Sequence, residues 1–235
     1  MPVDADTVQY HSIINIFNLN LSPSMRIFFL LISLVVTMGG CRKEPLLGQL
    51  TNEPVVATYY DRGTDFNSLN TFCLPPTVGL ISSTDPNDTL LGAVKAAQIL
   101  GRLNTRLTES GFNSVDISQN PDMVANVFVI KDLNSNTVVS PGYWWGYGGY
   151  YDPYYWGYPG SYYYYPYTYT YTYETGTLVI ELVDVKNRVQ NNNKLFVSWN
   201  MLASGVLSDS NSDNMQMALD AIDQAFEQSP YLKSN

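Results

Sequence analysis

A cysteine behind two small residues at the end of an apolar run is the substrate for acylation during export, and Cys41 stands in that position. The run Met25-Arg-Ile-Phe-Phe-Leu-Leu-Ile-Ser-Leu-Val-Val-Thr-Met-Gly-Gly-Cys41 has a positive start at Arg26, an apolar core from Ile27 to Val36, and two glycines before the thiol. That core is shorter than the roughly 20 residues needed to cross a bilayer and suits a secretory leader. Residues 25–40 are therefore expected to be a lipoprotein signal peptide and Cys41 the lipidation site, although Met38 stands where leucine is commoner. Each buried acyl methylene contributes about 0.8 kcal/mol, so two or more chains hold a soluble body firmly on a membrane. Arg42 rather than aspartate follows the cysteine, which favours the outer membrane, with the body expected to face the periplasm. Asp4 and Asp6 give residues 1–24 the wrong charge for a leader, so translation is expected to start at Met25, with an upstream extension before it.

Beyond Cys41 the chain holds no histidine, because the single one is His11. Histidine general bases, Ser-His-Asp and Cys-His nucleophile pairs, and imidazole-built zinc sites are thereby excluded from the mature part. With Cys41 acylated only Cys73 remains, in the apolar run Thr71-Phe-Cys-Leu74, where a buried small hydrophobe is expected rather than a reactive thiol. The net charge of −9 comes without a basic stripe, so nucleic acid is not an expected partner. Asp209-Ser-Asn-Ser-Asp213-Asn214 imitates the start of a calcium loop, with Asp220 at its twelfth position. Asn214 replaces the obligatory glycine and the twelfth residue is not glutamate, so a helix cap is the simpler assignment; no metal or cofactor is expected. Paired carboxylates can cleave a glycosidic bond without histidine, and Asp122, Asp152 and Glu174 are the candidates for that chemistry. Sequence spacing does not bring them together.

The other chemically distinctive stretch is aromatic. Residues 141–173 hold Tyr143-Trp-Trp-Gly-Tyr147, Tyr154-Tyr-Trp-Gly-Tyr158 and Tyr162 to Tyr165, with three of the four tryptophans and almost no charge. Gly and Pro interrupt it too often for a helix. Trp144, Trp145, Tyr154, Tyr155 and Trp156 are candidates for contact with peptidoglycan, polysaccharide or an envelope protein, since aromatic faces stack on sugars and phenols hydrogen-bond. The competing assignment is a low-complexity excursion, partly packed on the domain or loosely ordered. Tyr167, Tyr169, Tyr171 and Tyr173 alternate with threonines as a two-faced strand would, and Gly176 could host a bulge beyond them.

The elements that would position these residues follow from periodicity. After a polar tether at 41–54, one domain is expected over 55–232. Strands are read at Val55–Tyr60, Asn70–Leu74 and Asp122–Leu133, and as a hairpin at Thr177–Val185 and Leu195–Leu202. Along the last of these Leu195, Val197, Trp199 and Met201 should share one face, with Trp199 anchoring the core. A helix capped at Asp88 or Thr89 and ended by Gly111 should bury Ala93, Ala96, Ala97, Leu100, Leu103 and Leu107, leaving Arg102 and Arg106 solvated. A second runs from Asn214 to about Gln228, with Met215, Leu219, Ile222 and Phe226 at helical spacing. The order ββαβββα predicts an α+β fold: a largely antiparallel or mixed sheet of about five strands with two helices on one face.

Asp65-Phe66, Leu69-Asn-Thr-Phe72, Asn120-Pro-Asp-Met-Val124, Tyr173-Glu-Thr-Gly-Thr-Leu-Val-Ile-Glu-Leu-Val-Asp184 and Leu195-Phe-Val-Ser-Trp199 together resemble a family of bacterial lipoproteins catalogued as domain of unknown function 4136. The Tyr/Gly/Pro-rich stretch is similar to members from the Bacteroidetes. Glu181, where an aspartate is usual, and Phe196-Val-Ser before Trp199 depart from the pattern. The resemblance implies no reaction. The expectation is a membrane-anchored envelope lipoprotein acting in binding, assembly or envelope maintenance; the alternative is a histidine-free glycan hydrolase using paired carboxylates.

Overall fold

Met123–Asp132, Thr177–Asp184 and Lys194–Ser204 are rich in β-branched and aliphatic residues, which places them at the centre of a sheet with both faces covered. In the computed structural model the described residues are 54–82, 84–85, 87–132, 138–139, 148–167, 171–172, 176–188, 190–207 and 213–234. They all belong to one unit, Asn52–Asn235. The strands are β1 (Val55–Tyr60), β2 (Thr71–Cys73), β3 (Gly79–Ser82), β4 (Asn113–Ser114), β5 (Met123–Asp132), β6 (Val138–Val139), β7 (Tyr162–Tyr164), β8 (Tyr171–Thr172), β9 (Thr177–Asp184) and β10 (Lys194–Ser204). The helices are α1 (Ala93–Glu109) and α2 (Asp213–Glu227).

The fold is α+β, with an eight-stranded mixed sheet in the order β1-β10-β9-β5-β2-β4. The antiparallel centre is β1-β10-β9-β5, while β2 and β3 run parallel to β5, and β7 runs parallel to the start of β10. A separate pair joins β6 to β8. Five strands and two helices are thus where the sequence places them, and the correction is to the strand number: β3, β4 and β7 complete the main sheet. These three are too short, at two to four residues, for periodicity to register.

On one face α1 and α2 pack over Met123, Ala125, Val127, Leu178, Ile180, Leu182, Trp199 and Met201. Trp199 is fully buried and its Nε1 donates to Ser229 Oγ at 2.9 Å, so the expected anchor is in place. The expected common face of β10 is not. Val197 pairs with Val183 and Trp199 pairs with the next residue back, Leu182, leaving Ser198 as a bulge whose hydroxyl donates to Leu182 O at 3.0 Å. Leu195 and Val197 consequently pack on the opposite face from Trp199 and Met201.

α1 also departs in detail. It starts at Ala93, after Gly92, and not at Asp88 or Thr89. The residues before it lie along β3 instead, with Leu80 N donating to Thr89 O and Leu91 N to Val78 O, so tertiary pairing has overridden the capping signal. Its buried stripe is Ala96, Ile99, Leu103 and Leu107; Ala93 and Ala97 are exposed. Arg102 and Arg106 are not simply solvated. Arg102 Nη1 lies 2.6 Å from Asp223 Oδ2 on α2, and Arg106 sits 5.6 Å above the Phe226 ring. The helix ends as expected: Gly111, at φ +92°, donates to Thr108 O and Phe112 donates to Leu107 O, the reciprocal pair that closes a left-handed C-terminus.

Candidate functional site

The second face of the sheet should be polar if it met water, yet Val124, Phe128, Ile130, Val179, Val183, Val197 and Leu202 all point into it. The aromatic segment supplies the cover. Residues 148–167 lie across these side chains, and Tyr151, Trp156 and Tyr163 are buried among them. Over these residues the low-complexity stretch is packed on the domain and forms a third layer of the structure. It comes close against the sheet at Gly79 and Gly149, where a Cβ on Gly79 would collide with the Gly149 carbonyl. Gly79→Ala is expected to lift the layer and lower stability by about 2 kcal/mol, measured as a reduced Tm.

Three polar residues interrupt the apolar strands beneath this layer. Asn126, Glu181 and Asn200 are all fully buried and stand in register across β5, β9 and β10. Tyr165 donates to Glu181 Oε1 at 2.6 Å, Tyr150 to Oε2 at 2.9 Å, and Asn126 Nδ2 to Oε2 at 3.2 Å. Trp156 Nε1 donates to Asn126 Oδ1 at 3.0 Å, and the Tyr163 hydroxyl donates to Tyr151 O at 2.7 Å. Burial pushes the Glu181 carboxyl above its ordinary value of 4.5, against the pull of its three donors. Burial, and then the nearby Glu181, push the Tyr150 phenol well above 10. Glu181 and Asn126 therefore pin the aromatic layer to the sheet, through protons held on the phenols. The sequence carried a signal for it: Asn126 and Glu181 each interrupt an apolar run within their strand.

The candidate contact residues divide. Tyr154 and Tyr155 are exposed, at 76% and 47%, whereas Trp156 is 3% exposed and its surface is taken up by packing. Trp144 and Trp145 lie outside the described residues, as does Cys41. The candidate carboxylates are not brought together. Asp122 accepts from the backbone of Asn70 at 2.7 Å and lies 3.3 Å from Lys186 Nζ; Asp152 accepts from Tyr155 N; Glu174 lies outside the described residues. Asp184 is the carboxyl that Asp122 does influence, and its own oxygens hold the Asn187 backbone and side chain. Asp209 is also outside the described residues, and Asp220 accepts from Gln216. Cys73 is buried in the second core, where burial and then Asp116 push the thiol up and keep it protonated.

A set of exposed aromatic residues that sequence spacing did not single out lies at one end of the sheet. Tyr162 and Tyr164, 46% and 40% exposed, project from β7 beside Lys194 and Phe196 of β10. Lys194 Nζ is 4.6 Å from the Tyr164 ring centre, and Arg188 Cζ is 4.6 Å from that of Tyr158. Backbone bonds tie the set together: Tyr162 N donates to Asn193 O, Asn193 N to Arg188 O, and Ser161 N to Tyr158 O. Alternation in the sequence hides this rim, because its residues come from separate places: Tyr158 before β7, Tyr162 and Tyr164 on a strand of three residues, Arg188 in the β9–β10 turn, and Lys194 and Phe196 at the start of β10.

Residues 56–231 match the model of a family described as Domain of unknown function (DUF4136). The crystal structure of a DUF4136 family protein from Bacteroides thetaiotaomicron VPI-5482, at 1.60 Å resolution, is similar at 32% identity and a TM-score of 0.68, covering 77% of this chain and 98% of that one. A PelC variant dodecamer from Paraburkholderia phytofirmans matches at 11% identity and a TM-score of 0.38, over 77% of this chain and 98% of that one. No curated protein matches the chain.

Proposed function

From the premise that this chain belongs to the DUF4136 family, which has no assigned reaction, we propose that it is a non-catalytic binding protein of the cell envelope, moored to the outer membrane by lipid on Cys41 and facing the periplasm. The observation that carries the binding role is the aromatic layer. Its inner rings are committed to the sheet, through Trp156, Tyr163 and the Glu181 row, while Tyr154, Tyr155, Tyr162 and Tyr164 stand exposed on the same segment. Exposed rings on a firmly seated backbone lose little freedom on binding, which suits recognition.

The mooring rests on Cys41 and its leader. Labelled palmitate fed to cells making the chain is expected to enter the protein and to fractionate with it into the outer membrane. Cys41→Ser should abolish both. Equal labelling of the serine variant would remove the anchor from the proposal. The binding role is tested apart from the anchor, by capture of envelope components on the purified chain and on a variant with serine at Tyr154, Tyr155, Tyr162 and Tyr164; equal capture by the two would remove it.

A further inference from the structure

The rim at the start of β10 has the chemistry of a defined ligand. We propose that Tyr158, Tyr162, Tyr164, Phe196, Arg188 and Lys194 bind a cell-wall glycan strand, an N-acetylated sugar chain whose attached peptides carry free carboxylates. This rests on the binding role proposed above and names its ligand.

Charge is the first support. In a chain of net charge −9, Arg188 and Lys194 form no ion pair among the described residues and instead stand over tyrosine rings. Four carboxylates elsewhere, Asp223, Glu109, Asp88 and Asp122, hold cations of their own. An unpaired guanidinium and ammonium beside ring faces match a ligand that offers both carboxylate and C–H surfaces: the cations meet the acid groups and the rings stack on the sugar. The turn between them is exposed at Asn192 and Asn193, both left-handed at φ +53° and +61°, which adds amide side chains that can hydrogen-bond to hydroxyl and acetamido groups.

Position is the second support. The tether enters the domain at Val55, which pairs with Ser204 at the far end of β10, whereas the rim pairs at Lys194 to Phe196. β10 has 11 residues, so those ends lie roughly 33 Å apart. The rim therefore lies at the end of β10 opposite the one where the chain enters the sheet.

The test is co-sedimentation of the full chain, purified in mild detergent, with isolated cell-wall sacculi, with chitin, and with anionic phospholipid vesicles. Retention on sacculi, weakening with salt, is expected. It should fall about tenfold in the Arg188→Gln/Lys194→Gln double variant and again in Tyr162→Ser/Tyr164→Ser, with unchanged Tm. All four side chains are at least part-exposed, so these variants keep the fold. Retention that survives either double variant, equal retention on the uncharged chitin, or binding to vesicles and not to sacculi would each overturn the glycan assignment while leaving a binding role intact. Release of soluble sugar fragments from sacculi would instead overturn the non-catalytic reading itself.

Discussion

Glu181→Ala is expected to destabilise the protein by about 3–5 kcal/mol, whereas Glu181→Gln should cost about 1 kcal/mol or less. Alanine removes the common acceptor of Tyr150, Tyr165 and Asn126 and leaves a void between the sheet and its aromatic cover. The two phenols, 3.5 Å apart, can turn to one another, but the fully buried Asn126 amide is left with only its long bond to the Tyr150 hydroxyl, at 3.4 Å. Glutamine keeps the shape. Its oxygen can take the bonds from Tyr150 and Asn126, and its amide can donate to the Tyr165 oxygen once that hydroxyl rotates. The two variants also differ from the native chain in pH dependence. A carboxyl whose folded pKa lies above its unfolded value binds its proton more tightly when folded. The stability it contributes is fully present below about 4.5 and is lost as pH rises through the higher folded value. Glu181→Gln carries no such group, so denaturant unfolding across this range should show the native chain losing stability relative to the glutamine variant as pH rises. Asp184 is shifted the same way but is common to both chains and cancels. Parallel stability curves for the two would show that Glu181 is not buried as described.

Trp199→Ala should be as severe, at about 3–5 kcal/mol, and should bring the Tm down by many degrees. The ring is fully buried, lies 5.6 Å from Phe226, and donates to Ser229, whose Oγ lies 3.2 Å from the Tyr231 hydroxyl. Tyr231 in turn stacks on Tyr60 at 3.8 Å. The substitution therefore undermines α2, the segment after it and the edge strand β1 together. Trp199→Phe keeps much of the apolar area and loses the indole donor, so about 1–2 kcal/mol is expected. A chemical denaturation midpoint for Trp199→Ala within error of the native one would contradict the packing described.

The central strands, the C-terminal half of α1 and nearly all of α2 were legible because each repeats its apolar residues at the period of its own geometry. The bulge was not, because Leu195, Val197, Trp199 and Met201 alternate without a break and nothing in that pattern marks Ser198 as the extra residue. Thr89 to Leu91 was misread for a related reason: its caps are good local signals, and the free edge of β3 outbid them. The aromatic segment was legible as unusual but not as a layer. Seeing that requires knowing that Val179, Val183 and Phe128 have no other cover. Glu181 was visible as a polar interruption in an apolar strand, while its partners come from Tyr150, Tyr165 and Asn126, which only the fold brings to it.

The single extra residue at Ser198 has a consequence for how this molecule comes apart. Because β10 changes sides there, Val197 belongs to the aromatic core and Trp199, two positions on, to the helical one. Neither half can melt without dragging on the other's strand, so the tyrosine blanket and the helices should be lost in one cooperative step. The amides of β10 should then exchange with solvent as slowly as any in the chain.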